Sequence, residues 1–495
     1  MRRRQFIALT GGAALSLPLP AFAQQGAKGG STAVSDIKPA QAIADFVTGF
    51  DLSQAPKAVL DWARIAFIDT TGVMLAGSHH EPTDIVLEMI KAEGSTPAHA
   101  IIGRKERASL QHAALANGVS GHALDFDFTY FAGQAIAGLI PAILPVAEAT
   151  KASEKEVLAA FIIGAEVCGR LIRTAPTMFR LANWHATGTV GTIAAAAACA
   201  RLMKTPAKLI PDIVGICTSL AGGISANFGT MTKPLHAGNA ARNGILAVQL
   251  GMKGFTGATS ALEGRNGFYD NFARGLAVSF EPFRDLGKAW DLETQGPRLK
   301  PYPSGGLGHT AIDAALELRQ IVKLDEVKSV EVAITKYALR RYSPNYPTTV
   351  EQAKFSGPYI ASTTLIHGAP MLPAFTEAAL RDEKVIAFAR KVTLAPHPEH
   401  AEVLNESPAK VTVTLSDGRQ IVRDKYIPLA PGKCRCRGHE SRRSSPPAPP
   451  PSSSPMPRRS CWPCSPRWAS ARPSTASGRS SDRREGTCFP YAPRH

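Results

Sequence analysis

The spacing of apolar residues along this chain changes once, and the change divides it. From Gln41 to about Ala273 apolar positions recur at helical spacing and are rich in alanine and glycine. Ser153-Glu-Lys-Glu156 precedes the apolar run Val157–Ile163 as a capping box, in which a hydroxyl and a carboxylate satisfy free N–H groups at a helix start. Thr192 to Leu202 is an almost unbroken alanine run, and Thr205-Pro206 reads as a further helix start. Alanine on most faces lets helices approach closely on several sides, which predicts a compact all-α bundle. Phe131 to Ala147 has the apolarity of a membrane span, but Pro141, Pro145 and its shortness predict a buried helix instead. After about residue 275 the period becomes two. Val330, Val332 and Ile334 alternate with other positions, as do Val411, Val413 and Leu415, which run into the hairpin turn Ser416-Asp-Gly418. Helical stretches over Tyr359–Leu365 and Ala374–Ala389 lie between them. The fold class is therefore mainly α with α+β: a large all-α domain over 37–275 and a smaller α+β domain over 276–428.

Composition alters this picture at the two ends. Arg3 and Arg4, a spacer and Phe6-Ile7 precede a short apolar run that closes on Ala21-Phe22-Ala23. This is the pattern of a twin-arginine signal peptide over 1–23, and it predicts export to the periplasm with cleavage after Ala23. Residues 429–495 form a Ser/Pro/Arg-rich tail without periodicity, either disordered or the product of a reading-frame error. Residues 433–495 hold 13 Lys and Arg against 3 Asp and Glu, so they carry ten of the sixteen net positive charges. The high pI of 9.6 is thus mostly a property of the tail, and a nucleic-acid-binding function has no other support. Cys168, Cys199 and Cys217 lie in apolar helical patterns and read as small core residues. Cys461-Trp-Pro-Cys464 has redox spacing without a strand–helix context. Walker, dinucleotide and His-Glu-x-x-His patterns are missing, and neither a metal nor an organic cofactor is expected.

The densest candidate chemistry lies in Gly229-Thr-Met-Thr-Lys-Pro-Leu-His-Ala-Gly-Asn-Ala-Ala-Arg-Asn-Gly244. Pro234 suits the first turn of a helix, which makes Thr232 its N-cap and places Lys233 at the positive end of the helix dipole, with His236 one turn on. Around it stand Ala123-Leu-Asp-Phe-Asp127, Trp184-His-Ala-Thr-Gly-Thr189, Gly254-Phe-Thr-Gly257, Leu262-Glu-Gly264 and Lys300-Pro-Tyr-Pro-Ser304, with His309 shortly after. In this order and spacing the chain resembles the MmgE/PrpD family, which includes 2-methylcitrate dehydratase, cis-aconitate decarboxylase and iminodisuccinate epimerase. The resemblance runs from about Gln41 to about Leu429.

What the resemblance implies is a helical domain covered by an α+β lid, with the pocket between them, in a homodimer. It gives Asp125, His185, Lys233 and Lys300 catalytic roles and His236, Ser304, His309 and Tyr342 substrate-binding ones. Tyr346 lies near the same loosely matched lid region. The shared chemistry uses no cofactor. Lysines and histidines bind a small di- or tricarboxylate and stabilise an aci-carboxylate beside the carbon that loses H⁺ or CO₂, while one group moves a proton. One position departs from the pattern: Ala135 stands where the family places an active-site histidine. Two functions follow: a cofactor-independent lyase or isomerase that is 2-methylcitrate dehydratase-like, or a non-catalytic periplasmic polycarboxylate binder. Neither involves nucleic acid or stable membrane association.

Overall fold

A computed structural model describes residues 36–426 apart from Ala132 and Asn405. The signal-peptide and tail expectations lie outside the described residues. From Pro39 to Ala273 the regular elements are helices joined by turns and loops, apart from the paired two-residue strands His99–Ala100 and Arg107–Ala108. The capping box at Ser153 forms, with Glu156 N–H donating to Ser153 Oγ and Ser153 N–H to Glu156 Oε2 at 2.7 Å. Cys168, Cys199 and Cys217 are buried and unpaired. Among the described residues no helix is long and apolar enough to cross a membrane.

Three helices make the centre of this domain: Leu110–Ala123, Val190–Leu202 and Thr232–Met252. Small residues decide how they meet. A Cβ on Gly118 would stand 2.6 Å from Gly238 Cα, and one on Gly244 would stand 2.8 Å from Ala195 Cβ. The backbones therefore nearly touch at both crossings, which carries the end of Leu110–Ala123 to the start of Thr232–Met252.

Three local expectations are corrected. Thr232 is the first helical residue rather than the N-cap; Gly229 turns the chain at φ 80°, and Thr230 Oγ1 accepts the Thr232 N–H at 3.2 Å. The stretch from Phe131 is not one helix, because Phe131 itself adopts φ 53° and turns continue until the helix Leu139–Thr150 begins. Ala374–Ala389 is broken into Leu372–Ala374, Glu377–Leu380 and Glu383–Ala389, since Thr376 and Asp382 each cap a new start.

The second part holds a four-stranded sheet in the order Val392–Pro396, Val327–Ile334, Ala409–Leu415, Gln420–Lys425. The first pair is parallel and the others antiparallel. Val330, Val332 and Ile334 join Val411, Val413 and Leu415 in a core of their own, packed on helices His309–Arg319 and Gly357–His367. Gly418 supplies the left-handed turn of the last hairpin at φ 89°.

The connection between the parts is pinned from below. Arg170 is fully buried, ion-paired with Glu166 and Asp291, and donates to the carbonyls of Ala289 and Asp285. Glu166 also accepts the N–H groups of Asp291 and Leu292 at 2.9 Å each. Further on, Arg298 and Thr129 exchange backbone hydrogen bonds at 2.8 and 2.9 Å, which lays the strand leading to Lys300 against the loop that holds Asp125.

Candidate active site

The helix Leu110–Ala123 ends at Leu124, and Asp125 follows in the left-handed region at φ 50°, a conformation aspartate tolerates better than most side chains. That turn points both its carboxylate and its carbonyl inward. Asp125 Oδ1 accepts from Lys300 Nζ at 2.8 Å, Lys233 Nζ at 3.0 Å and Gln134 Nε2 at 2.5 Å. Lys300 Nζ also donates to the carbonyls of Asp125 at 2.8 Å and Ser304 at 2.9 Å. Asp125 Oδ2 is buried and has no partner. Burial alone would raise this carboxyl, but the Lys233 and Lys300 ammonium groups together hold it far below the usual carboxylate range. Burial draws Lys300 down from the ordinary ammonium range, against the pull of Asp125.

Three histidine rings continue the cluster, and their hydrogen bonds fix where the protons are. Lys233 Nζ donates to His122 Nε2 at 2.8 Å, so His122 carries its proton on Nδ1 and gives it to Asp127 at 2.9 Å. Thr187 Oγ1 spends its hydrogen on the Gln134 carbonyl at 2.7 Å, so it accepts from His185 Nε2 at 3.0 Å. His185 Nδ1 is then an acceptor, and His236 Nδ1 donates to it at 2.9 Å. His236 Nε2 is left with a free lone pair. This ring lines an open cleft of about 370 Å³, walled also by Gly222, Gly223, Asn239 and Asn243. All three rings are kept neutral: burial lowers His122, His185 and His236, with Lys233 adding to the effect, and His236 falls to about 4.

The sequence-predicted residues separate into those at the cluster and those behind it. Asp125, Lys233, Lys300, His185 and His236 form one connected network. Ser304 joins through its carbonyl, and its buried hydroxyl has no partner. His309 Nε2 donates to that same carbonyl at 3.1 Å, so it supports Lys300 from behind; burial lowers it to about 3, with Lys300 adding. Tyr342 Oη donates to the Gly305 carbonyl within the same turn. Tyr346 lies elsewhere, donating to the Leu380 carbonyl at 2.9 Å. Ala135 is fully buried and carries no polar group into the site.

Four participants escaped the sequence reading: His122, Gln134, Thr187 and Lys354. Lys354 is a buried lid lysine that donates to the Ala123 carbonyl at 2.8 Å. His122 had one available signal, a position three residues before Asp125 at the end of the same helix. His122, Asp125 and Asp127 bring ligand atoms within 4.8 Å of one another. Lys233 Nζ already bridges the first two, and its fixed positive charge opposes a cation there.

Two family models match the chain: the MmgE/PrpD N-terminal domain over residues 41–281 and the MmgE/PrpD C-terminal domain over residues 302–432. Among known proteins, cis-aconitate decarboxylase of Homo sapiens is 28% identical over 395 residues, covering 76% of this chain and 81% of the human one. The Mus musculus protein of that name is 26% identical over 396 residues, with 76% and 80% covered. One from Aspergillus terreus is 24% identical over 407 residues, with 76% and 82% covered.

Proposed function

The chain belongs to the MmgE/PrpD family, and from that premise we propose that it is a cofactor-independent lyase acting on a small polycarboxylate, with cis-aconitate the first substrate to test. The observation that carries this reading is the convergence of two buried ammonium groups, Lys233 and Lys300, on a single carboxylate. Such a place is built to hold anionic oxygen away from water, where each charge–charge contact counts for more than in solvent. The sequence leaves dehydration, decarboxylation and epimerisation open, and the names of the relatives favour decarboxylation.

In this reading a substrate carboxylate takes up the lysine donors. When the C–CO₂ bond breaks, its electron pair passes into the adjoining carboxylate, whose growing negative charge the ammonium groups stabilise. A proton then closes the carbon. With alanine at 135, His185 is the group assigned to deliver it, from Nε2. Its pairing with His236 keeps the ring neutral in that step: as His185 Nε2 gives up its proton, Nδ1 takes the one on His236 Nδ1, and His236 Nε2 takes a proton from the cleft.

A second reading, binding without turnover, has its own observation. Both ring nitrogens of His122 and His185 are engaged, so a proton carrier must first give up a partner. A panel of cis-aconitate, methylcitrate and related acids, followed for CO₂, new double bonds and inverted centres, separates the two. His185→Ala should lower kcat roughly 10²–10⁴-fold, the range of general acid–base contributions. Lys233→Ala should raise KM and lower kcat as well, because its ammonium group meets charge that grows in the transition state. Turnover that survives His185→Ala intact overturns its role, and tight citrate binding with no product from any acid supports the second reading.

A further inference from the structure

Two arginines outside the lysine cluster have no counter-ion among the described residues. Arg180 lies in the short helix Met178–Leu181 of the helical domain, and Arg341 follows the lid helix Lys336–Leu339. Their side chains meet around Tyr337, with Arg341 Cζ 3.9 Å and Arg180 Cζ 5.3 Å from the ring centroid. Arg180 is 8% exposed and Arg341 9%. Among the described residues no carboxylate pairs with either within 4.0 Å, and the charged side chains that act on them are further arginines, Arg298 on Arg180, and Arg340 and Arg180 itself on Arg341. Nε of both is buried without a partner. Among the described residues their ten N–H donors make one long hydrogen bond, Arg341 Nη2 to the Phe179 carbonyl at 3.4 Å.

Buried guanidinium groups are normally matched by carboxylates, as Arg170 is in this same chain by Glu166 and Asp291. Two unmatched forks gathered at one tyrosine ring describe half of a charge-assisted, bidentate interaction. We propose that Arg180 and Arg341 form a second anion site, at the junction of the helical domain and the lid, for an oxyanion that offers two or more oxygens to both forks. Carboxylate and phosphate share that chemistry. Because each domain supplies one fork, a bound anion ties the lid to the helical domain. The site is distinct from the lysine cluster but near it: Phe228 is a common neighbour, with Arg341 Cζ 5.8 Å and Lys233 Nζ 5.7 Å from its ring centroid.

Titration of the full-length protein with inorganic phosphate and with citrate, by calorimetry and by thermal shift, tests this. Wild type and Lys233→Ala should bind phosphate alike, while Arg180→Gln and Arg341→Gln should each weaken it about tenfold or more, the effect of losing one charge-assisted pair. Arg341→Lys keeps the charge without the fork and should fall between, and it carries the test should Arg341→Gln fail to fold. If only citrate binds, and the arginine variants raise KM for the polyacid with phosphate inert, the oxyanion is the substrate's second carboxylate. The site is refuted if arginine variants that fold bind both anions as wild type does, or if wild type binds neither at millimolar concentration. Turnover is read separately, so an inactive protein that still binds phosphate through Arg341 removes the lyase reading and leaves this one standing.

Discussion

At Asp125 one carboxylate oxygen accepts from two ammonium groups and an amide while the other accepts nothing. Asp125→Asn would leave Lys233 and Lys300 as adjacent buried cations, and removing one partner of such a pair typically costs about 3–5 kcal/mol. A loss of that size in urea unfolding is expected, with part of it recovered in Asp125→Asn/Lys300→Met. The pH dependence follows from the sign of the shift. A depressed carboxyl contributes fully above its unfolded value, about 4, and the contribution fades as acid protonates it. His236 and His309, lowered to about 4 and about 3, contribute above the unfolded value near ~6.5 and lose that contribution on the way down to those values. Acid should therefore destabilise the protein from about pH 6.5 downward, and in Asp125→Asn the lowest-pH limb should flatten while the histidine limb persists. Asp125, Lys233 and Lys300 were legible because each lies in a short, distinctive run of residues. Arg180 and Arg341 were not, because their meaning lies in the absence of a partner 161 positions apart in sequence numbering, which no local pattern expresses.

Between elements, the close crossing at Gly118 and Gly238 sets the geometry of the site. Lys233 lies five residues before Gly238 on the same helix, and His122 four residues after Gly118. A Cβ at Gly238 would stand 2.6 Å from the Leu115 carbonyl oxygen and 2.9 Å from Val119 Cγ2, so Gly238→Ala must push the helices apart. A cost of about 1–3 kcal/mol is expected, the range of overpacked cores, together with a higher KM as Lys233 Nζ withdraws from Asp125. Gly72 is the control: it is in mid-helix with nothing within 4 Å of an added Cβ, so Gly72→Ala should stabilise by about 0.5–1 kcal/mol and leave kinetics alone. Melting curves and KM for the pair check both directions. Helix and strand periodicity foretold the two packed parts and the sheet alternation at Val330–Ile334 and Val411–Leu415. It failed where a single residue broke the run. Phe131 in the left-handed region is held there by tertiary structure, and Thr376 and Asp382 turn an apparently continuous helix into capped fragments.

Across the whole molecule, the lid meets the helical domain through buried polar groups: Lys354 on the Ala123 carbonyl, Arg341 on that of Phe179, and Lys300 on both Asp125 and Ser304. Lys233, Lys300 and Lys354 stand against Asp125, Asp127 and Glu351, while His122, His185 and His236 are neutral, so the cluster is electrically balanced. A polyanion that enters upsets that balance in a place where water cannot compensate, and the bare His236 nitrogen is the nearest group able to answer. Binding should therefore draw hydrogen ions from the medium. Calorimetry in buffers of different ionisation enthalpy should show net uptake, with affinity rising as pH falls from about 8 to about 6. Uptake should diminish in His236→Asn. A protein with this property responds to the acidity of its compartment through occupancy, before any bond in the substrate is made or broken.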